Sequence, residues 1–202
     1  MKDSTRFFDI VICTTALLLF SPFFLIIALL VKLTSPGRVL FVQRRVGKNN
    51  IDFNMYKFRT MRVDTARISS LTVGNRDNRI TRVGYYLRKL KLDELPQLFN
   101  VIKGDMSIVG PRPELRKFVD MYTPAQLFVL SIRPGITDYA SLKYRHENEL
   151  LASAENPEKF YVEEVMPAKI ALNKYYISNK GLKTYFLIIF TTIFAVFNPS
   201  NS

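Results

Sequence analysis

The stretch KLDELPQLFNVIKGDMSIVGPRPE, residues 91–114, decides how the rest of the chain is read. It opens on a paired acid, Asp93 and Glu94, followed by Pro96 and by Leu95, Leu98, Phe99 and Ile102 at helical spacing. Proline is tolerated in a first helical turn, where its missing N–H breaks no bond. Gly104 supplies the stop. Asp93 therefore falls at or just before a predicted helix N-terminus, where backbone N–H groups and the dipole favour negative charge. A capping acid is the bland reading of this pair. The second half of the stretch asks for more. Pro111 and Pro113 each restrict the residue before them. They make 107–113 a stiff turn that presents Arg112, whose guanidinium grips phosphate oxygens two at a time.

The run from Leu92 to Glu114 closely resembles the signature of the bacterial sugar transferases, the monotopic polyprenyl-phosphate phosphoglycosyl transferases. The resemblance extends to Lys57-Phe58-Arg59-Thr60-Met61 and to Arg133-Pro134-Gly135-Ile136-Thr137, and covers nearly the whole chain. It implies transfer of a sugar 1-phosphate from a nucleotide sugar, with UDP as the nucleotide, to polyprenyl (undecaprenyl) phosphate. Such a step starts a surface glycan: capsule, exopolysaccharide, O-antigen or glycoprotein. By the same resemblance Asp93 is the nucleophile, forming a covalent aspartyl-phosphosugar as UMP leaves, and Glu94 holds Mg²⁺. Arg88 and Arg112 clamp phosphate oxygens, while Lys57 and Arg59 assist at the nucleotide. The turn at Arg133 reads as part of the pocket rim. Where the family often continues with Gly-Leu-Ala-Gln, this chain has Asp138-Tyr139-Ala140-Ser141, so sugar specificity is not carried over from that segment.

With 202 residues there is room for one domain with a sizeable core. The formal charge of +12 points to anionic partners: a phosphorylated substrate, nucleic acid or an anionic membrane face. The single Cys13 excludes an intrachain disulfide. A lone His146 excludes a His-based triad or a zinc site. No phosphate-cradling GxxxxGK[ST] and no GxGxxG occurs.

Residues 10–31 carry no charge and would be about 33 Å long as one helix, enough to span a bilayer. Ser21-Pro22 breaks the run near its middle. Both flanks are basic, with Lys2 and Arg6 before and Lys32, Arg38, Arg44 and Arg45 after, so the positive-inside rule gives no asymmetry. A re-entrant helix, bent at Ser21 and Pro22 with both ends on the cytoplasmic side of the inner membrane, satisfies both facts. The family is similar in this.

Residues 39–61 read as a hairpin turning at 47–50, with Lys57 and Arg59 on one strand face. Residues 74–78 read as a mobile loop. Thr81 caps a helix whose stripe is Val83, Leu87 and Leu90. Helices are expected over 114–122, 124–131 and 157–176, the last bent at Pro167. The apolar run 185–197 is too short to span, and is expected to lie as an interfacial helix or pack in the core. The predicted fold is α+β and mainly helical. It divides into a re-entrant helix (1–36), a cytoplasm-facing catalytic domain (37–181) and an interfacial C-terminal helix and tail (182–202).

Two rival readings remain. A membrane-tethered basic adaptor would bind anionic lipid or nucleic acid through charge alone. Its cations here alternate with proline turns and acids instead of forming a stripe, so nucleic acid is not the expected partner. A glycosidase built on the paired acids is disfavoured, because adjacent residues on a helix do not flank a bond from two sides. A homo-oligomer is compatible with the sequence.

Overall fold

The computed structural model describes residues 4–62 and 79–197; the 74–78 segment and Lys2 lie outside them. The chain opens with two apolar helices, α1 (Thr5–Leu19) and α2 (Ser21–Thr34), bent by 66° at Phe20. Pro22 stands in the first turn of α2, where it cannot extend α1. The Ser21 hydroxyl donates to the Leu18 carbonyl at 2.9 Å, adding to the backbone N–H that this carbonyl already accepts at the end of α1. The sequence break is thus the structural elbow, and Leu18, Leu19 and Phe20 are exposed on it. Among the described residues no single helix is long and apolar enough to cross a membrane; the bent pair together has the length and composition.

Both ends of this pair are tied to the same body. Arg6 donates to the carbonyls of Val101 (2.5 Å) and Ile102 (2.8 Å). Arg59, buried, donates to those of Pro36 (2.5 Å), Ser35 (2.6 Å) and Val31 (3.3 Å). Each arginine places a cation on carbonyls at a helix C-terminus, where the dipole favours positive charge. Asp9 adds a buried third tie. Its Oδ1 accepts from the Ser107 hydroxyl (3.1 Å), the Ile108 N–H (2.9 Å) and the Tyr185 hydroxyl (2.8 Å).

The hairpin follows as expected: β1 (Leu40–Val46) pairs antiparallel with β2 (Asp52–Phe58), Gln43 opposite Met55, around a 3₁₀ turn at Lys48–Asn50. Thr81 caps α3 (Arg82–Lys89) by accepting from the Gly84 N–H, as its position predicts. A short 3₁₀ turn, Leu92–Glu94, leads into α4 (Gln97–Lys103), which Gly104 ends with φ +100°. The expected helical start at Asp93 is corrected here. Pro96 holds the N-cap position, and neither acid caps α4. Strand β3 (Ser107–Val109) then pairs parallel with β4 (Gly135–Thr137), reached through α5 (Arg116–Val119) and a 3₁₀ turn at Leu127–Ser131. Those two short pieces replace the longer helices expected over 114–122 and 124–131. Gly110 and Gly135 let the backbones touch; a Cβ on Gly135 would sit 2.1 Å from the Gly110 nitrogen.

The rest is helical: α6 (Tyr139–Lys143), α7 (Glu147–Ala152), α8 (Pro157–Phe160), a π turn (Tyr161–Val165), α9 (Met166–Ser178) and α10 (Leu182–Phe197). The irregularity expected at Pro167 is the π turn just before it, which removes the need for a bond at the proline nitrogen. Helix α10 packs in the core along one face and leaves another exposed. Tyr185 and Ile188 are buried with Val109 and Tyr176, while Leu187, Phe190, Ile193 and Phe194 are exposed. The mainly helical α+β class is observed.

Candidate active site

The site forms where the end of β2, the Leu92–Glu94 turn and the Pro-Arg-Pro loop after β3 converge. Alternation along β2 turns Lys57 towards the turn, where its Nζ donates to Glu94 Oε1 at 2.8 Å. Arg112 closes on the same carboxylate from the other side, Nη1 to Oε2 at 3.1 Å and Nη2 to Oε1. Burial alone pushes the Glu94 carboxyl up. The charges and hydrogen bonds of Arg112 and Lys57 overturn that and hold it well below the ordinary carboxylate range. Arg112 is raised in turn, by Glu94 above all. Lys57 is lowered by burial, against the pull of Glu94.

Asp93 is the opposite case. It is 9 % exposed, and its carboxylate forms no hydrogen bond or ion pair with the described residues. Burial pushes its pKa up and the Glu94 charge adds to that, while Lys57, Arg88 and Lys91 offset only part. Lys91 precedes it at φ 57°, a left-handed conformation that a lysine adopts at some strain. Lys91 stands between α3 and the Leu92–Glu94 turn that carries Asp93. Two neighbouring acids therefore have divergent environments: one neutralised by two cations, one buried with its oxygens uncommitted.

The other predicted residues divide. Arg88 is near: its Nε donates to the Thr60 hydroxyl at 2.9 Å, and its charge acts on Asp93. Arg59 is not on the Lys57 face. Strand β2 ends at Phe58, and the Arg59 guanidinium turns to the carbonyls at the end of α2. Arg133 donates from Nε to Gly104, at the far end of α4 from Asp93. For Arg59 the expected strand face is corrected, and the cause is general. Orphan carbonyls at helix ends attract cations as well as phosphates do, and sequence spacing does not tell the two apart. His146 is an N-cap residue of α7, 3.6 Å from Glu149.

Several residues behind the site were not singled out by sequence. Glu114 accepts from the Tyr161 hydroxyl, from the Leu115 N–H (2.8 Å) and from Arg45 (3.4 Å). Arg45 also donates to the Pro113 carbonyl at 3.2 Å, which anchors the loop carrying Arg112. Asp138 is buried in full and accepts from the Arg112 and Ser141 N–H groups. An acid just before a short helix was the available signal for Asp138. For Glu114 and Arg45, 69 residues apart, there was none.

Lys57, Arg88, Lys91 and Arg112 surround two carboxylates, leaving surplus positive charge for an anionic substrate. Mg²⁺ is usually bound by one or two carboxylates together with substrate phosphates and water. Asp93 and Glu94 supply oxygen donors of that kind. Among the described residues no cluster of three or more acidic, His or Cys side chains adds to them. The uncommitted carboxylate of Asp93 fits such an ion directly. Glu94 is held by both Lys57 and Arg112, and an ion there would have to share its oxygens with them.

A family model described as bacterial sugar transferase matches residues 2–199. The chain is 43% identical over 191 residues to the UDP-N-acetylgalactosamine-undecaprenyl-phosphate N-acetylgalactosaminephosphotransferase of Aeromonas hydrophila, covering 93% of this chain and 42% of that protein. It is 41% identical over 196 residues to the exopolysaccharide production protein PSS of Rhizobium leguminosarum bv. phaseoli, covering 93% and 92%. To the UDP-glucose:undecaprenyl-phosphate glucose-1-phosphate transferase of Escherichia coli it is 40% identical over 166 residues, covering 78% and 35%. The chain thus spans less than half of the Aeromonas and Escherichia proteins and nearly all of the Rhizobium one.

Proposed function

The chain belongs to the bacterial sugar transferase family, and from that premise we propose that it transfers a sugar 1-phosphate from a UDP-sugar to polyprenyl phosphate. The observation that carries this reading is the contrast between Glu94, held by Lys57 and Arg112, and the buried Asp93, whose carboxylate makes no hydrogen bond or ion pair with the described residues. Carboxylates in one site whose environments push their pKa values apart take different roles. Asp93, with free oxygens, suits a nucleophile. Glu94, held between Lys57 and Arg112, suits an electrostatic organiser.

In the proposed reaction an Asp93 oxygen attacks the sugar-bearing phosphorus of the diphosphate. A bond forms from Asp93 to that phosphorus, and its bond to the bridging oxygen breaks with UMP as leaving group. A polyprenyl phosphate oxygen then attacks the same phosphorus and expels Asp93, giving the polyprenyl diphosphate sugar. Positioning and charge stabilisation dominate such transfers. Arg112 exchanges Glu94 for phosphate oxygens, Arg88 supports it from the other side, and Lys57 keeps Glu94 in place. Mg²⁺, held by Glu94 and Asp93, would supply charge neutralisation on the diphosphate.

The bent apolar pair supports attachment to one leaflet of the inner membrane, with the catalytic body on the cytoplasmic face. Arg6 and Arg59 fix both ends of the pair to that body, so a crossing that put Arg6 on the far side would break its bonds to α4. Exposed apolar residues on α10 extend the same lipid-facing platform. A charge-only adaptor is less well supported, since Arg6, Arg45, Arg59, Arg112 and Arg116 are engaged within the protein.

The test is release of UMP when a panel of UDP-sugars is offered with undecaprenyl phosphate. Release should depend on one or a few sugars and on Asp93. No release from any donor would reject the reading.

A further inference from the structure

Arg112 lies between two prolines, neither of which has a backbone N–H, so its amide is the one main-chain donor of the Pro111-Arg112-Pro113 tripeptide. That amide donates to Asp138 Oδ2 at 3.2 Å. The other oxygen, Oδ1, accepts from the Ser141 N–H at 2.5 Å and caps α6. Asp138 has no exposed surface. Arg112 is thus held at both ends by carboxylates, its guanidinium by Glu94 and its amide by Asp138.

A cap alone does not call for an acid here. Serine, threonine or asparagine would cap α6 as well, without burying a charge. Burial pushes the Asp138 carboxyl up, and its bonds to Ser141, the nearby Lys169 and the Arg112 amide only partly compensate. What a carboxylate has and those side chains lack is a second acceptor oxygen while the first is occupied. That second oxygen meets Arg112.

We propose that Asp138 is a positioning residue for the transfer: by gripping the Arg112 amide it fixes the loop, so that the guanidinium can leave Glu94 for a diphosphate without the backbone following. This rests on the function proposed above. The Arg45 bond to the Pro113 carbonyl steadies the same loop one residue further on.

The experiment is a titration of UDP, the part common to the candidate donors, into four proteins: unaltered, Asp138→Ser, Arg112→Ala and the double variant. Asp138→Ser keeps the α6 cap and loses the second oxygen. It should weaken UDP binding about three- to tenfold, the worth of one hydrogen bond, with its thermal midpoint nearly unchanged. In the Arg112→Ala background the same substitution should have no further effect. Asp138→Asn, which keeps the shape but turns an amide nitrogen towards one of the two N–H donors, should give the same pattern. Equal losses in both backgrounds would overturn the positioning role and leave Asp138 a cap. Failure of the unaltered protein to bind UDP or release UMP would overturn the functional reading, and this inference with it.

Discussion

Arg112 and Glu94 meet prong to prong, each terminal guanidinium nitrogen on its own carboxylate oxygen, and Lys57 shares one of those oxygens. In the proposed reaction the pair is a holding position from which Arg112 moves to phosphate. Arg112→Lys keeps the charge and loses the fork. Turnover should fall about a hundredfold, as for loss of one transition-state donor, with little change in fold by circular dichroism. Glu94→Gln should leave two cations without a counter-charge. Breaking a buried pair costs about 3–5 kcal/mol, and the 36 % exposure of the Arg112 side chain places the loss at the low end.

Asp93→Asn should abolish the phosphosugar adduct seen by intact-protein mass spectrometry when a UDP-sugar is supplied without lipid acceptor. It should also stabilise the fold. The folded Asp93 carboxyl is raised above its unfolded value, so its contribution is fully present below the unfolded pKa and lost as pH rises through the folded one. At neutral pH the ionised carboxylate is therefore a burden that asparagine removes. A thermal midpoint higher by about 2–4 °C per kcal/mol gained is the expected reading. An unchanged adduct in Asp93→Asn would reject the nucleophile.

The acid limb of the pH–rate profile should belong to Asp93. In the proposed reaction activity needs its ionised form and should be lost as pH falls through its raised pKa. Glu94 titrates far lower. Its stabilising contribution is present above its unfolded pKa and lost only as pH falls through the depressed folded value. On lowering the pH, turnover should thus fail before the fold, followed by circular dichroism, is lost.

Excess chelator should stop UMP release, and Mg²⁺ should restore it. Glu94→Gln should raise the Mg²⁺ concentration needed for half-maximal rate. Full turnover in chelator would leave Arg88, Arg112 and Lys57 as the charge stabilisers and remove the metal from the reaction.

Single cysteines at Ser4 and Pro36, both exposed, in a Cys13→Ala background should label only from the cytoplasmic side. Replacing Ser21 and Pro22 by Ala and Leu should straighten the elbow and strain the Arg6 bonds to α4, lowering activity. Periplasmic labelling at position 4 of the otherwise unaltered protein would mean that the pair crosses the bilayer.

Local signals in the chain were readable and non-local ones were not. The Thr81 cap, the hairpin and the Ser21-Pro22 break each depend on residues within one or two turns, and each appears where the sequence placed it. The paired acid and Arg112 were legible as a group because proline and spacing constrain that segment by itself. Arg59 was misplaced because its partners, 23 to 28 residues away, are carbonyls that no side-chain pattern marks. Asp9, Glu114 and Asp138 went unread for a related reason. Buried polar networks are built from whatever donors the fold brings together, and strand partners 28 residues apart, such as Ser107 and Gly135, set those meetings.

The Asp9–Tyr185 hydrogen bond has a temporal consequence. Its partners are 176 residues apart, so at 5–20 residues per second about 10–35 s of synthesis separates them. Through that interval α1 has left the ribosome with a carboxylate on a face that only β3 and the last helix can satisfy. An ionised acid resists settling into hydrocarbon. Helix α1 is made before every other described helix, and its buried carboxylate is fully partnered only once α10 has followed.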